Sequence, residues 1–383
     1  MIKSAYLHIP FCEHICHYCD FNKVFLQGQP VDEYLEMMKR EMALQLAKYQ
    51  TARLDTIFVG GGTPTSLNEK QLTFLCEAIN ENLPFDPEKA EYTFEANPGD
   101  LSREKLEILH QSGVNRLSFG VQSFNDELLK RIGRTHRASE VYETIHLAQE
   151  VGFTNISIDL IYGLPGQTMA DFEDTLDKAL ALQLPHYSSY SLIVEPKTVF
   201  YNQMRRGKLN LPPQELEASM YERLMERMEK HGNQQYEISN FARPGFESRH
   251  NLTYWDNVEY YGIGAGAHGY TGGKRVANHG PVKKYITPLL ANQLPVLEEH
   301  HVPLHERMEE EMFLGLRKTE GVSMENFLEK FSVDMTEVFQ KPLQEEVSKG
   351  LLMVKDGFVR LTEQGKLLGN EVFQSFLGVA DSE

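Results

Sequence analysis

The chain has 383 residues, of which 41% are hydrophobic, and its formal net charge is -17. This length is enough for one large catalytic domain with a smaller appendage. A strongly acidic chain is repelled by nucleic acid phosphates, so we expect no nucleic acid partner. No stretch approaches the roughly 20 apolar residues that span a bilayer, and the amino-terminal apolar run is too short for a signal peptide. We therefore expect a cytoplasmic protein without a transmembrane segment.

Six short apolar runs predict strands, and helical patterns separate them. The predicted strands cover residues 5–9, 56–59, 92–95, 116–119, 156–161 and 187–194. Strands that alternate with helices form parallel βαβ units. We therefore expect an α/β fold in which residues 1–210 form an open, incomplete (β/α)6 barrel.

Two further segments follow the predicted barrel. Residues 211–302 begin with a predicted helix and continue as a glycine-rich and aromatic extension. Residues 303–383 contain three predicted helices, at 306–318, 323–331 and 338–349, and a hairpin at Asp356-Gly357. This order predicts a small, mostly helical module that is similar to a winged helix. From His305 onwards it has nine basic and sixteen acidic residues, which makes it a poor binder of duplex nucleic acid.

Three of the four cysteines follow the first predicted strand with the spacing CxxxCxxC, as Cys12, Cys16 and Cys19. Thiolates at this spacing suit a [4Fe–4S] cluster, and three ligands leave one iron open to a guest molecule. The alternative is a structural zinc site, whose fourth ligand would be a nearby histidine, namely His8, His14 or His17. Cys76 falls on the apolar stripe of a predicted helix, so we expect it in the core.

Polar and glycine residues gather where the predicted strands end, which is where barrel enzymes have their chemistry. The run Gly61-Gly62-Thr63 exposes backbone amides that suit the amino-acid end of a sulfonium nucleoside. Glu95 and Asp159 are carboxylates that are costly to bury without partners, and the alternative for each is a nearby arginine. Gln122 and Arg134, together with Asp159, could bind hydroxyl groups and a carboxylate.

Several motifs within residues 1–270 resemble a known family. They are Tyr6-Leu-His-Ile-Pro-Phe-Cys12, Gly60-Gly-Gly-Thr-Pro-Thr65, Glu95-Ala-Asn-Pro98, Gly120-Val-Gln-Ser-Phe124, Gly133-Arg-Thr-His136 and Asp159-Leu-Ile-Tyr-Gly-Leu-Pro-Gly166. This set resembles the radical S-adenosylmethionine (SAM) family, in its coproporphyrinogen III dehydrogenase branch. The carboxy-terminal module resembles the extra domain of that branch.

The resemblance implies a [4Fe–4S] cluster on the three cysteines and SAM on its open iron. It also implies that an electron donor such as a flavodoxin or ferredoxin reduces the cluster. Six residues match family positions that contact SAM, namely Tyr6, Gly61, Glu95, Gln122, Arg134 and Asp159. By the same resemblance, Tyr18 lies along the adenine.

The chain departs from the dehydrogenase pattern at Phe21, where the dehydrogenase proper has a further cysteine. We also expect no long extension ahead of the first strand. Both differences resemble the HemW subgroup, which consists of heme-binding chaperones and has an HNxxYW motif, matched here by residues 250–255. This implies heme as cargo and a heme-accepting partner, which could be membrane-associated. The alternative function is the oxygen-independent oxidative decarboxylation of coproporphyrinogen III.

Within the HNxxYW motif, His250 is the candidate heme ligand, because a histidine beside aromatic rings suits heme iron. The alternative is that His250 is a hydrogen-bonded structural residue. His268 and His279 are weaker candidates. Whether the protein turns over SAM as an enzyme is left open by its sequence.

Overall fold

The computed structural model describes residues 1–49, 51 and 53–380. The first half of the chain alternates strands and helices, as the apolar pattern predicts. Its strands are β1 Ser4–Ile9, β2 Phe11–Cys12, β3 Val24–Phe25, β4 Thr56–Gly61, β5 Glu91–Ala96, β6 Arg116–Gln122, β7 Asn155–Tyr162 and β8 His186–Ser191. Its helices are α1 Val31–Lys48, α2 Glu69–Asn82, α3 Arg103–Gln111, α4 Asp126–Arg131, α5 Ala138–Val151, α6 Met169–Ala181 and α7 Val199–Arg205.

The six predicted strands are present and neighbouring, in the order β1-β4-β5-β6-β7-β8, and every pair is parallel. The helices between them cover the outer face of the sheet, where side chains such as Ile57, Phe94 and Leu117 are fully buried. Alternate residues of each strand point into the barrel, and there the side chains are mostly polar. The prediction of an incomplete parallel α/β barrel is therefore confirmed.

The middle of the chain extends the same sheet at both edges. Its elements are α8 Gln214–His231, β9 Gln234–Glu237, β10 Asn240–Ala242, α9 Arg249–Trp255, β11 Tyr261–Ile263, β12 His268–Thr271, β13 Lys274–Asn278, α10 Val282–Leu290 and β14 Val296–His301. Strand β11 lies parallel beside β1, whereas β10 and β9 follow β8 in antiparallel pairing. Strand β11 is a seventh parallel strand that the sequence does not predict, because its three residues have no apolar run of their own.

One hydrophobic core joins residues 1–210 to the middle segment. Met220 and Leu224 of α8 and Tyr285 of α10 belong to the same buried cluster as the barrel strands. The boundary at residue 210 between the barrel and the middle segment stays a prediction. The two parts share one sheet and one core. Cys76 is fully buried in this cluster, as its position on the apolar stripe of α2 predicts.

The carboxy-terminal module has a hydrophobic cluster of its own. Its elements are α11 Leu304–Gly315, β15 Val322–Ser323, α12 Met324–Phe331, α13 Met335–Val338, α14 Gln340–Ser348, β16 Leu352–Lys355, β17 Phe358–Leu361, α15 Glu363–Leu367 and α16 Gly369–Gln374. The three strands pair in the order β15-β17-β16, so the predicted small wing is present. Helices α11, α12 and α14 correspond to the three predicted helices, whereas α13, α15 and α16 were not predicted. The predicted helix 338–349 is divided at Phe339, which departs from helical backbone angles. No helix in the described part of the chain is long and apolar enough to cross a bilayer.

Candidate functional site

The three clustered cysteines lie on one loop at the carboxyl end of the barrel strands. Cys12 ends β2, and the parallel pairing of β2 with β3 closes the loop that contains Cys16 and Cys19. Cys12 is 6% exposed, whereas the other two are half-buried. The Cys19 amide donates to the Cys16 carbonyl oxygen at 3.3 Å, which holds these two residues within one turn.

Polar side chains from two later loops donate to the thiol sulfurs. Thr63 Oγ1 donates to Cys12 Sγ at 3.6 Å, and Arg134 Nη1 donates to Cys16 Sγ at 3.5 Å. Burial raises the pKa of Cys12, and it raises the pKa of Cys19 to about 11. Burial therefore favours the protonated form of these two thiols.

The histidines near the cysteine loop have other partners. His8 Nε2 donates to the Asn22 carbonyl oxygen at 2.7 Å, and Nδ1 accepts from the Tyr6 hydroxyl at 2.9 Å. His17 Nδ1 lies 3.0 Å from the Arg131 carbonyl oxygen, and His14 is exposed. Among the described residues, no group of three or more His, Cys, Asp and Glu side chains, the three cysteines included, converges on the position of a single metal ion. Zinc ligation by His8 would require it to break two hydrogen bonds, whereas His14 is exposed and His17 has one of its two ring nitrogens in a hydrogen bond.

Asn22 connects the cysteine loop to a distant part of the chain. Its side-chain amide donates to the carbonyl oxygens of Ala265 at 2.8 Å and of Gly280 at 3.0 Å. The carboxy-terminal part of the cysteine loop is therefore fixed by the segment that follows β11.

The glycines that end β4 pack against the first strand and against Glu95. A side chain at Gly62 would lie 2.8 Å from the Phe11 carbonyl oxygen, and one at Gly61 would meet the His8 ring at 2.5 Å. Gly61 also has φ +112, which favours glycine. Its amide donates to Glu95 Oε2 at 3.0 Å, so these glycines place bare backbone beside a carboxylate.

Two carboxylates project into the barrel without forming an ion pair in the described chain. Glu95 accepts from Gly61, and Asp159 Oδ1 accepts from Ser118 at 3.2 Å. The buried Arg116 nevertheless acts on both at longer range and lowers the pKa of each carboxyl against the effect of burial, so part of the arginine alternative holds. Burial raises the pKa of Glu95 to about 7 and also raises that of Asp159. Both keep some exposed surface deep inside the barrel, and neighbouring Tyr190 is 42% exposed, so they line an open cleft.

Gln122 and Arg134 meet at the same edge of the barrel. Gln122 has φ +66 at an irregularity in the β6–β7 register, and a side chain at Gly120 would contact both Gln122 and Arg134. Arg134 Nη2 donates to Asn97 Oδ1 at 2.7 Å. Tyr18 is half-buried on the apolar cluster formed by residues such as Leu129. The structure therefore brings the predicted residues of this end around one cleft.

Asn97 is a residue of this site to which the sequence analysis gave no role. It donates to Thr63 Oγ1 at 3.2 Å and to Asp100 Oδ2 at 3.0 Å, and it accepts from Arg134. It thereby connects the two side chains that donate to Cys12 and Cys16. The motif Glu95-Ala-Asn-Pro contained this residue, but only the fold shows what it contacts.

His250 lies at the opposite, amino end of the barrel. It is 1% exposed, and its ring nitrogens form hydrogen bonds of 2.8 Å with Thr56 Oγ1 and with the Tyr254 hydroxyl. Its ring stacks on Phe58 at 5.1 Å, and burial lowers its pKa to about 3. This geometry is that of a hydrogen-bonded structural histidine, which was the alternative to a heme ligand. His268 is exposed and His279 is half-buried.

Two protein-family models match the chain. The Radical SAM superfamily matches residues 6–179, and the HemN C-terminal domain matches residues 302–368. The solved structure of coproporphyrinogen III oxidase (HemN) from Escherichia coli superimposes with a TM-score of 0.86 at 24% identity, covering 98% of this chain and 90% of that one. This likeness shows the fold.

Curated relatives match over their full length. The heme chaperone HemW of Bacillus subtilis is 57% identical, with 98% of this chain and 100% of the relative covered. HemW of Lactococcus lactis is 48% identical, covering 98% and 97%, and HemW of Escherichia coli is 34% identical, covering 98% of both. The chain therefore belongs to the HemW family of radical SAM proteins.

Proposed function

We propose that this protein is a cytoplasmic heme chaperone, which binds heme and delivers it to an acceptor protein, whether free or membrane-associated. The observation that carries the proposal is the full-length identity of 57% to a protein named as a heme chaperone. Phe21, in the place of a further cysteine, and the HNxxYW sequence at residues 250–255 agree with it.

We propose that Cys12, Cys16 and Cys19 hold a [4Fe–4S] cluster. The residues fit this group, because the loop offers three sulfurs and two of them already accept hydrogen bonds, from Thr63 and Arg134. Hydrogen bonds to the sulfurs tune the reduction potential of such clusters. With three protein ligands, one iron remains for a small-molecule ligand.

We propose that the cleft beside the cysteines binds SAM. Glu95 has carboxylate oxygens free to accept from an ammonium group, and the glycine backbone at Gly61 and Gly62 leaves room for close approach. Thr63, Gln122, Arg134 and Asp159 supply further donors and acceptors, while Tyr6 and Tyr18 supply ring surfaces. When bound, the cluster and SAM supply one-electron chemistry, for which a flavodoxin or ferredoxin is the electron donor.

Iron ligation by His250 stays a prediction. Both ring nitrogens of His250 have partners, so ligation requires the loss of its hydrogen bond either to Thr56 or to Tyr254. Breaking either bond inside the protein leaves a buried hydroxyl unpaired, which costs roughly 1–3 kcal/mol.

The test is an anaerobic titration of the purified, cluster-loaded protein with hemin, followed by transfer to apomyoglobin as the acceptor probe. We expect a saturable Soret shift at one heme per chain and transfer of that heme. His250→Ala is compared with His14→Ala, which changes an exposed histidine. Absence of a saturable shift in the parent protein would overturn the chaperone function. Anaerobic conversion of coproporphyrinogen III to protoporphyrinogen IX would instead establish the alternative activity.

A further inference from the structure

A cavity of about 410 Å³ opens to solvent between the barrel and the carboxy-terminal module. The barrel side contributes the rings of Tyr254, Trp255 and Tyr260, and α11 contributes Phe313 and Leu314. This volume lies within the range of about 300–1,000 Å³ that is usual for small-molecule sites. The walls come from both parts of the protein, so neither part forms the cavity alone.

The cavity walls are mostly aromatic. Tyr254 and Tyr260 pack edge to face, with 4.8 Å between ring centroids. The Tyr254 hydroxyl is tied to His250, which is itself buried against Phe58, so His250 fixes this wall from behind. Flat aromatic walls bind flat conjugated ligands through large contact areas and ring stacking.

Two charged residues stand in this apolar wall. Arg275 forms a forked ion pair with Glu310, with Nη2–Oε2 at 2.7 Å and Nε–Oε1 at 3.2 Å. A guanidinium holds any carboxylate with the same forked geometry.

We propose that this cavity is the heme site, with the tetrapyrrole against Tyr254, Trp255 and Phe313 and a propionate replacing Glu310 on Arg275. The inference rests on the proposed function, and it places the heme without moving His250. The open side of the cavity leaves one edge of the ring in solvent, from which an acceptor can take it. His250 is then a positioning residue that holds Tyr254.

The first experiment fills the cavity with a larger side chain. Leu314→Trp is compared with Leu304→Trp, which makes the same change on the same helix at a residue that is 53% exposed. We expect Leu314→Trp to weaken hemin binding about tenfold or more, because it removes ligand volume and contact area. Leu304→Trp should bind as the parent does. Thermal melting followed by circular dichroism confirms that both variants are folded.

The second experiment is a gain of affinity, which loss of folding cannot mimic. Glu310→Gln removes the ionic partner of Arg275, which keeps its hydrogen bond to Asn257 Oδ1 at 2.7 Å. We expect hemin to bind about fivefold more tightly because the propionate no longer displaces a carboxylate. The gain should vanish with hemin dimethyl ester, which has no carboxylate. The neighbouring Glu311→Gln, which breaks only the Lys330 ion pair, serves as the control.

The outcomes separate the two proposals. If the parent protein binds no hemin, the chaperone function falls. If the parent binds hemin and both Leu314→Trp and Glu310→Gln bind it with parental affinity, the chaperone function stands and this cavity is not its site.

Discussion

Glu91 and Glu95 lie on the same strand, β5, and both point into the barrel, but their surroundings differ. Glu91, at the amino end, accepts from the Ser248 hydroxyl and from the amides of Arg249 and His250, at 2.9 to 3.3 Å. Glu95, four residues later, accepts one amide hydrogen bond from Gly61 and lines an open cleft.

The difference separates a carboxylate that supports the fold from one that we propose binds SAM. Glu91 satisfies the first amides of α9 and so fastens the HNxxYW helix across the amino end of the barrel. Glu95 is half-buried with acceptor capacity unused, which is costly unless water or a ligand uses it. The amino end is thus held by hydrogen bonds within the protein, while the carboxyl end keeps free acceptors at the proposed SAM site.

The largest effect should come from the carboxyl end. We expect Cys16→Ser to abolish the brown chromophore after anaerobic reconstitution, because a serine oxygen is a poor ligand for cluster iron. Iron content and the visible spectrum measure the loss. Cys76→Ser, in the core, should keep its iron. Parental iron content in Cys16→Ser would show that this loop does not hold the cluster.

The next effect compares the two carboxylates directly. We expect Glu91→Ala to lower the free energy of unfolding by about 3 kcal/mol, because it leaves buried donors unpaired. Glu95→Ala should change it by less than about 1 kcal/mol, yet weaken SAM binding to the cluster-loaded protein about tenfold or more. Urea unfolding and isothermal titration measure the two quantities. Equal destabilisation by both variants would remove the distinction.

The smallest effect concerns a third carboxylate, Glu41 of α1, which lies outside the barrel. It is fully buried and accepts from the Gly264 amide, Asn278 and the Tyr285 hydroxyl, and burial raises its pKa to about 7. The folded state therefore holds this proton more tightly than the unfolded chain, whose value is near 4.5. The stability that it contributes is fully present below pH 4.5 and is lost as the pH rises to about 7.

We therefore expect the free energy of unfolding to fall between pH 5 and pH 8 by about 2 kcal/mol more in the parent than in Glu41→Gln. Urea unfolding at the two pH values measures this difference. An identical pH dependence in both proteins would show that Glu41 is ionised in the folded state throughout. The result would sharpen the comparison of Glu91 with Glu95. It would show whether a buried carboxyl that accepts several hydrogen bonds is charged or protonated in the folded protein.

The strand and helix order was predictable from sequence, because each of the six βα units has its own apolar period. Strand β11 was not, because its pairing with β1 joins residues about 250 positions apart. The spacing of the cysteines is local, so the loop was predictable. The donors to its sulfurs were not predictable from spacing alone, since Arg134 reaches Cys16 across 118 residues.

His250 is a second residue whose role depends on contacts that are distant in the sequence. The sequence left it as either a heme ligand or a structural residue, because its neighbours along the chain suit both. The hydrogen bond to Thr56, 194 residues away, is what gives it the structural geometry. The cavity beside it was also beyond prediction, because Phe313 and Leu314 come from a module that the sequence treats as separate.

The hydrogen bonds from Asn22 to Ala265 and Gly280 have a consequence for the synthesis of the protein. The cysteines are made within the first twenty residues, but the backbone that fixes their loop is made some 240 residues later. During translation the thiols therefore emerge long before their final setting exists, and contacts of such separation form late in folding. On the cluster assignment proposed above, we therefore expect iron and sulfide to be inserted into the nearly finished chain, after β11 has paired with β1.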